Sequence, residues 1–315
     1  MATQTYTSAG GNQLTAENAE YYQRAMLDRL QDSVVFMNYG NKAKIPKHAG
    51  ATTSWRRLEM PATLATTAIT EGVTPASIDL TINKVQATVQ QFGAWTKITD
   101  FVDLVGLDPI LTETSQLMGD YAGLSMDAVV RDIVVAGTSV LYANNRISRV
   151  TVAAGDKITA ADIMKMRETM VKNFVKPVKL PNGGSGYLAF THPSVVTNIM
   201  SLQEWKDQNT YVDVKNREKG IAGQMYGIYF MEAPSARVFA GEGASGIDVY
   251  STLIIGQGAY GIPDIAGSSK PEILVFSSGN TENPLELYKT CGWKSCFTAA
   301  RLNEKCILRY ESSIT

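Results

Sequence analysis

Between Ile78 and Phe92, apolar and polar side chains alternate, and the alternation changes phase halfway. Ile78, Leu80 and Ile82 hold one parity; Val85, Ala87 and Val89 hold the other. Alternation of period two predicts a strand with one half-buried face. The phase change at Asn83-Lys84 predicts a β-bulge, which would bend the strand and increase its twist. At about 3.3 Å per residue, roughly 15 residues would reach about 50 Å. Thr52 to Glu59 is the second strand candidate. Pro46, Gly50, Pro61, Gly72 and Pro75 argue against long helices between Ile45 and about Ile98.

Helical patterns bracket this extended region. From Leu14 to Gly40, Thr15 can cap and Tyr22, Met26, Leu30 and Val34 recur every fourth residue. Downstream, Asp108-Pro109 reads as N-cap and first helical residue. Leu117, Tyr121, Leu124 and Ala128 trace an apolar stripe, and Gly137 marks a stop. Such a helix of about 28 residues would be roughly 40 Å long. The pattern then becomes mixed. Thr159 and Asp162 form a capping box, with Ile163, Met166, Met170 and Phe174 along one face. Val195, Ile199 and Leu202 follow Thr191-His192-Pro193 as a third helix, and GIYFM, ARVFA and VYSTLIIG read as short strands. The fold class expected is α+β.

Composition narrows the partners. The chain has 315 residues, 29 Lys plus Arg and 30 Asp plus Glu, a net charge of −1. Binding nucleic-acid phosphates calls for a basic excess or stripe. Arg56 and Arg57 beside Trp55 are too few for that and read as a solvated or interface face. No apolar run approaches the roughly 18 residues of a membrane span, and MATQTYTSAGGNQ lacks the regions of a signal peptide. A protein made in a cytoplasm, with no membrane partner, is expected. Cys291, Cys296 and Cys306 have spacings unlike a zinc pattern and read as small hydrophobes.

Candidate chemistry is sparse. Two GxGxxG strings, Gly241–Gly246 and Gly256–Gly261, follow strands, but neither runs into a helix whose N-terminus could hold a pyrophosphate. His48 and His192 have no GxSxG nucleophile turn to serve. The pairs Asp100 with Asp103 and Asp127 with Asp132 fit helix caps and solvated faces. No catalytic, cofactor-binding or metal residue is assigned. A soluble two-domain α/β enzyme stays open as an alternative, without a site.

Several segments in order carry a family resemblance: ITEGVTP at 69 to 75, IDLTINKVQATVQQFG, TDFVDL at 99 to 104 and DPIL at 108 to 111. RDIVVAGTSVLYAN at 131 to 144, ITAADIMKMRETM at 158 to 170 and THP at 191 to 193 continue it, and IIGQGAYGI and NPLELYKTCGWKSCFTAARLNE close it. The chain resembles the major capsid proteins of tailed bacteriophages, nearest to the enquatrovirus-type (N-four-like) head proteins. The resemblance implies the Hong Kong 97 fold. Its parts would be an N-terminal arm at 1–44, an extended β-hairpin loop at 45–100 and a peripheral domain at 101–150 with a spine helix. An axial domain at 151–280 and a C-terminal return to the peripheral domain at 281–315 would complete it. Asn283-Pro284 departs from the acidic residue the family often places before that proline. In some relatives Lys and Asn crosslink subunits; Lys84 lies on the loop, but no motif names a partner for it.

The resemblance implies a shell: many copies of the chain as hexamers and pentamers, enclosing double-stranded DNA without sequence-specific binding, in the virion of a phage assembled in its bacterial host. Separate scaffolding and portal proteins are expected, and decoration proteins fit. An encapsulin-like nanocompartment is the related alternative. An exposed apolar edge invites pairing with another chain. Trp55, Arg56, Arg57, Ile78, Leu80, Ile82, Lys84, Val85 and Val89 are therefore the expected inter-subunit contacts.

Overall fold

The structure, a computed structural model, describes residues 34–59, 66, 68–69, 71–105, 110–180, 184–209, 221–265, 269–276 and 283–314. In chain order the first strands are β1 (Asn41–Ile45), β2 (Thr52–Leu58), β3 (Ile82–Thr88) and β4 (Gln90–Thr99). Helices α1 (Asp100–Val105) and α2 (Ile110–Val135) follow, then β5 (Val140–Tyr142) and α3 (Ala160–Lys172). Next come β6 (Val178–Lys179), β7 (Ser185–Thr191), α4 (Pro193–Ser201) and α5 (Gln203–Asn209). The remaining strands are β8 (Ile221–Met225), β9 (Ile228–Glu232), β10 (Val238–Phe239), β11 (Val249–Ile255) and β12 (Tyr260–Ile265). Last are β13 (Glu272–Phe276), β14 (Tyr288–Phe297), β15 (Ala300–Arg301) and β16 (Ile307–Ser312).

Among the described residues these strands make two body sheets and one separate ribbon. The first body sheet runs β1-β12-β14-β13, with β4 on β14 and β15 on β12. Its longest seam is β4 against β14, continuous from Thr99↔Tyr288 to Gln90↔Phe297. The second runs β5-β16-β11-β7-β9-β8, with β10 and β6 at its sides. Its β7 is buried at every position after Ser185, as a strand covered on both faces should be. The ribbon is the β2–β3 hairpin alone.

In the core, α3 packs on β16 of the second sheet, and α2 packs on β14, β15 and β4 of the first. Ile163, Met166 and Met170 of α3 are fully buried. The capping box at its start is present, with the Asp162 N–H donating to Thr159 Oγ1 and the Thr159 N–H to Asp162 Oδ2. His192 caps α4 by accepting the Ser194 N–H at Nδ1, and burial lowers its pKa. Both glycine strings sit at strand ends: the first makes a single 3-10 turn before β11, the second runs into β12.

Four expectations need correction. The expected bulge at Asn83-Lys84 is absent, because Arg57↔Asn83 and Arg56↔Lys84 lie in one unbroken register. The phase change has another cause: Ile82 is exposed and Val85 half-buried, so two apolar series occupy opposite faces of a regular strand. Second, Leu117, Tyr121 and Leu124 face outward on α2. Its core face is Gly119, Ala122, Gly123, Met126, Val130 and Val134. Third, Phe174 leaves the buried face of α3 and is 89 % exposed. Fourth, Asp127 is no solvated carboxylate. It is fully buried and accepts the N–H groups of Val35 (3.0 Å) and Phe36 (2.6 Å) and the Ser235 hydroxyl (2.7 Å). The helix expected from Leu14 to Gly40 lies mostly outside the described residues; its described end is one 3-10 turn, Phe36–Asn38.

Candidate assembly surfaces

The hairpin is attached to the body through one face. Along β2, Thr53, Trp55 and Arg57 are half-buried, and across from them on β3 are Ala87, Val85 and Asn83. The Trp55 ring lies against β12: a Cβ placed on Gly261 would come 2.8 Å from it. Arg57 donates to the Leu302 carbonyl at 3.1 Å and pairs with Glu59. Hydrogen bonds from Arg57 and Asn83 hold the Glu59 carboxyl below the usual carboxylate range. Val89 closes the ribbon, donating its N–H to the Ala51 carbonyl at 2.9 Å.

The other face has no such support. Arg56 and Lys84 stand directly opposite each other, both exposed, with no ion-pair partner among the described residues. Like charges in that position destabilise a ribbon. Toward the tip, Leu58 pairs with Ile82, and both are exposed. Residues 71–81 lie beyond the ladder and are exposed, with Val73, Ile78 and Leu80 among them, and the Glu59 N–H still donates to the Thr81 carbonyl at 3.0 Å. Of the nine expected contact residues, Ile78, Leu80, Ile82, Arg56 and Lys84 are thus open to solvent. Trp55, Arg57 and Val85 gather at the root.

Two further surfaces were not picked out from the sequence. On the first body sheet, Gly93 and Gly292 leave a groove of about 390 Å³ between Trp95, Leu274, Phe276 and Trp293. A Cβ on Gly292 would come 2.7 Å from Trp95 Cβ, so only glycine fits there. Trp95 is 63 % exposed, and Lys97 Nζ sits 5.3 Å from its ring centre. On α2, Leu117, Tyr121 and Leu124 make an outward apolar stripe, with Tyr121 edge-on to Trp293. Large exposed apolar patches on a folded protein mark interaction surfaces. The cysteines offer no chemistry to compete with this: all are free, and burial pushes the Cys291 thiol up to about 11.

Comparison with known proteins fixes the family. The family model described as phage capsid protein matches residues 82–289, 208 of the 315 residues. Comparison with curated proteins returns no match. Among solved structures, the capsid of Ralstonia phage GP4 is similar with a TM-score of 0.70 at 12 % identity, covering 89 % of this chain and 91 % of that one. The capsid of cyanophage Pam1 is similar at 0.66 and 14 %, covering 100 % and 98 %. The mature capsid of bacteriophage PhiM1 is similar at 0.61 and 11 %, covering 99 % and 92 %. These likenesses are to the α+β Hong Kong 97-like capsid fold, with its long helix and mixed sheets. The chain therefore belongs to the phage capsid proteins: it is a tailed-phage major capsid protein, a non-enzymatic subunit of the head shell.

Proposed function

We propose that the shell is knitted by residues 45–100, whose open hairpin face and tip fold against a neighbouring copy. The observation that carries this reading is the exposure of Ile78 and Leu80, beyond the end of the ladder, and of Ile82 at its last pair. Half-burying each against a neighbour contributes about 1 kcal/mol at about 25 cal/mol per Å². Part of that is offset by ordering the segment. Arg56 and Lys84 meet acidic groups there, which relieves their mutual repulsion. Trp55, Arg57, Val85 and Val89 serve the same contact indirectly, by fixing the root from which the tip projects. Weak individual contacts suit assembly, since misplaced subunits can leave before closure; many contacts per copy then hold the finished shell.

The finer assignments follow from the same reading. Residues 1–44 act as an arm, 101–150 with 281–315 as the peripheral domain, and 151–280 as the axial domain. Copies group as hexamers and pentamers around double-stranded DNA, without sequence-specific contacts, aided by scaffolding, portal and decoration partners. The order of ITEGVTP, TDFVDL, DPIL and the GWK segment supports the enquatrovirus-type branch. The test is Leu80→Asp with Ile82→Asp, followed by gel filtration and electron microscopy. Soluble, folded subunits that form no shells are the expected outcome. Shells at wild-type yield would remove the hairpin from the assembly mechanism.

A further inference from the structure

The end of α3 combines two features that an isolated subunit has no use for. Phe174 has φ 53°, in the left-handed region where a bulky side chain is strained. Its position explains how it is held there. The Phe174 N–H donates to the Val171 carbonyl at 2.9 Å and the Val175 N–H to the Met170 carbonyl at 3.1 Å, the two bonds of a Schellman closure. That closure ordinarily takes glycine at the position Phe174 occupies. Val175 and Met170 are buried and lock the turn, while the Phe174 ring is left in solvent.

The surroundings form a patch. Met164 and Val171, seven residues apart on α3, are exposed on the same side of the helix. Between residues 163 and 179 lie the exposed cations Lys165, Arg167, Lys172, Lys176 and Lys179 and one exposed acid, Glu168, a local charge of +5 − 1 = +4. The whole chain carries −1, so its remainder carries −1 − 4 = −5. Glu168 is already paired with Lys172 at 2.6 Å. An apolar centre with an aromatic anchor and a charged rim is the anatomy of a protein–protein interface.

We propose that residues 171–179 form a knuckle that inserts Phe174 into an acidic-rimmed apolar hollow on a second copy of this chain. A shell subunit is surrounded by its own copies, and the remainder of each copy has the complementary sign. Duplex DNA is the lesser fit: its phosphates would satisfy the lysines, but its bases are already stacked and would leave Met164, Val171 and Phe174 wet. The knuckle lies on α3 and is independent of the hairpin reading.

The experiment separates a contact role from a merely structural one by the sign of two effects. Phe174→Gly relaxes the strained turn, so the subunit's Tm should rise by a few degrees, while shell yield falls at least tenfold at a concentration where wild type assembles. Phe174→Asn, which also tolerates this backbone region, should behave alike. Normal yield from either variant, with folding intact, overturns the proposal. In a second arm, p-benzoylphenylalanine at position 174 is photolysed in assembled shells. Covalent dimers whose mass spectra join position 174 to a peptide of another copy are expected. Crosslinks to DNA, to a different protein, or to nothing overturn the choice of partner.

Discussion

Asp127 is a carboxylate in an apolar interior, and its donors explain why it stays there. The Val35 and Phe36 N–H groups fall on one oxygen and the Ser235 hydroxyl on the other, so one side chain ties the start of the described chain to α2 and to the turn before β10. Tyr260 donates to the Phe36 carbonyl beside it, and burial raises that phenol's pKa. Burial also raises the Asp127 pKa, against the lowering effect of its hydrogen bonds. A raised acid favours the protonated fold. Its contribution is complete below the unfolded value near pH 4 and is lost as pH climbs through the folded value. Asn can accept the Val35 and Phe36 N–H groups at Oδ1 and donate from Nδ2 to the Ser235 hydroxyl oxygen, without a charge. Asp127→Asn should therefore gain on wild type as pH rises, whereas Asp127→Ala leaves buried donors unpaired and should cost about 1–3 kcal/mol near pH 4, a cost that shrinks as pH rises. Urea melts across pH check both; an Asn variant parallel to wild type throughout would contradict this account.

At the scale of elements, the hairpin is tightest against the body at one close contact. Trp55 packs where Gly261 has no side chain, and the Arg57–Leu302 bond lies next to it. Gly261→Ala should push the ring away and loosen the root, costing about 1–3 kcal/mol for an overfilled contact while leaving the two body sheets folded. Limited proteolysis should then cut within 52–58 or 82–88 faster than in wild type; an unchanged cutting rate would show that the root is held by other contacts. Much of this element structure was legible beforehand. The strand at Thr52, the Thr159 capping box and the existence of the long helix follow from patterns that local backbone chemistry enforces. What misled was the assumption that apolar periodicity points inward. On α2 the large residues Leu117, Tyr121 and Leu124 face out, and the buried face mixes Gly119, Ala122 and Gly123 with Met126, Val130 and Val134. On β3 the two apolar series serve two different surfaces, which sequence alone renders as a bulge. The groove at Trp95 and the turn at Phe174 were missed because each depends on backbone placement: Gly292 of β14 set directly across from Trp95 of β4, and a left-handed residue that carries no glycine to announce it.

For the whole molecule, the even charge balance and the local +4 over residues 163–179 pull in different directions, and assembly decides which one the genome meets. A free subunit exposes Lys172, Lys176 and Lys179, and a few phosphate contacts give weak association that falls steeply with salt. In a closed shell, where the knuckle is covered by a second copy, those cations are withdrawn from DNA, paired with the acidic rim that receives them. Such a wall confines DNA without holding it, as a container that must fill and empty requires. The expectation is quantitative in sign: per subunit, linear duplex DNA should bind isolated wild-type chains measurably at low salt and assembled empty shells far less. Reversing Lys176 and Lys179 to Glu should abolish the first signal. Titration of fluorescent duplex against subunits and opened shells at matched protein concentration reads both. Equal binding by the two forms would mean that the knuckle remains bare in the shell, and that the inner charge of this capsid is set by something other than subunit packing.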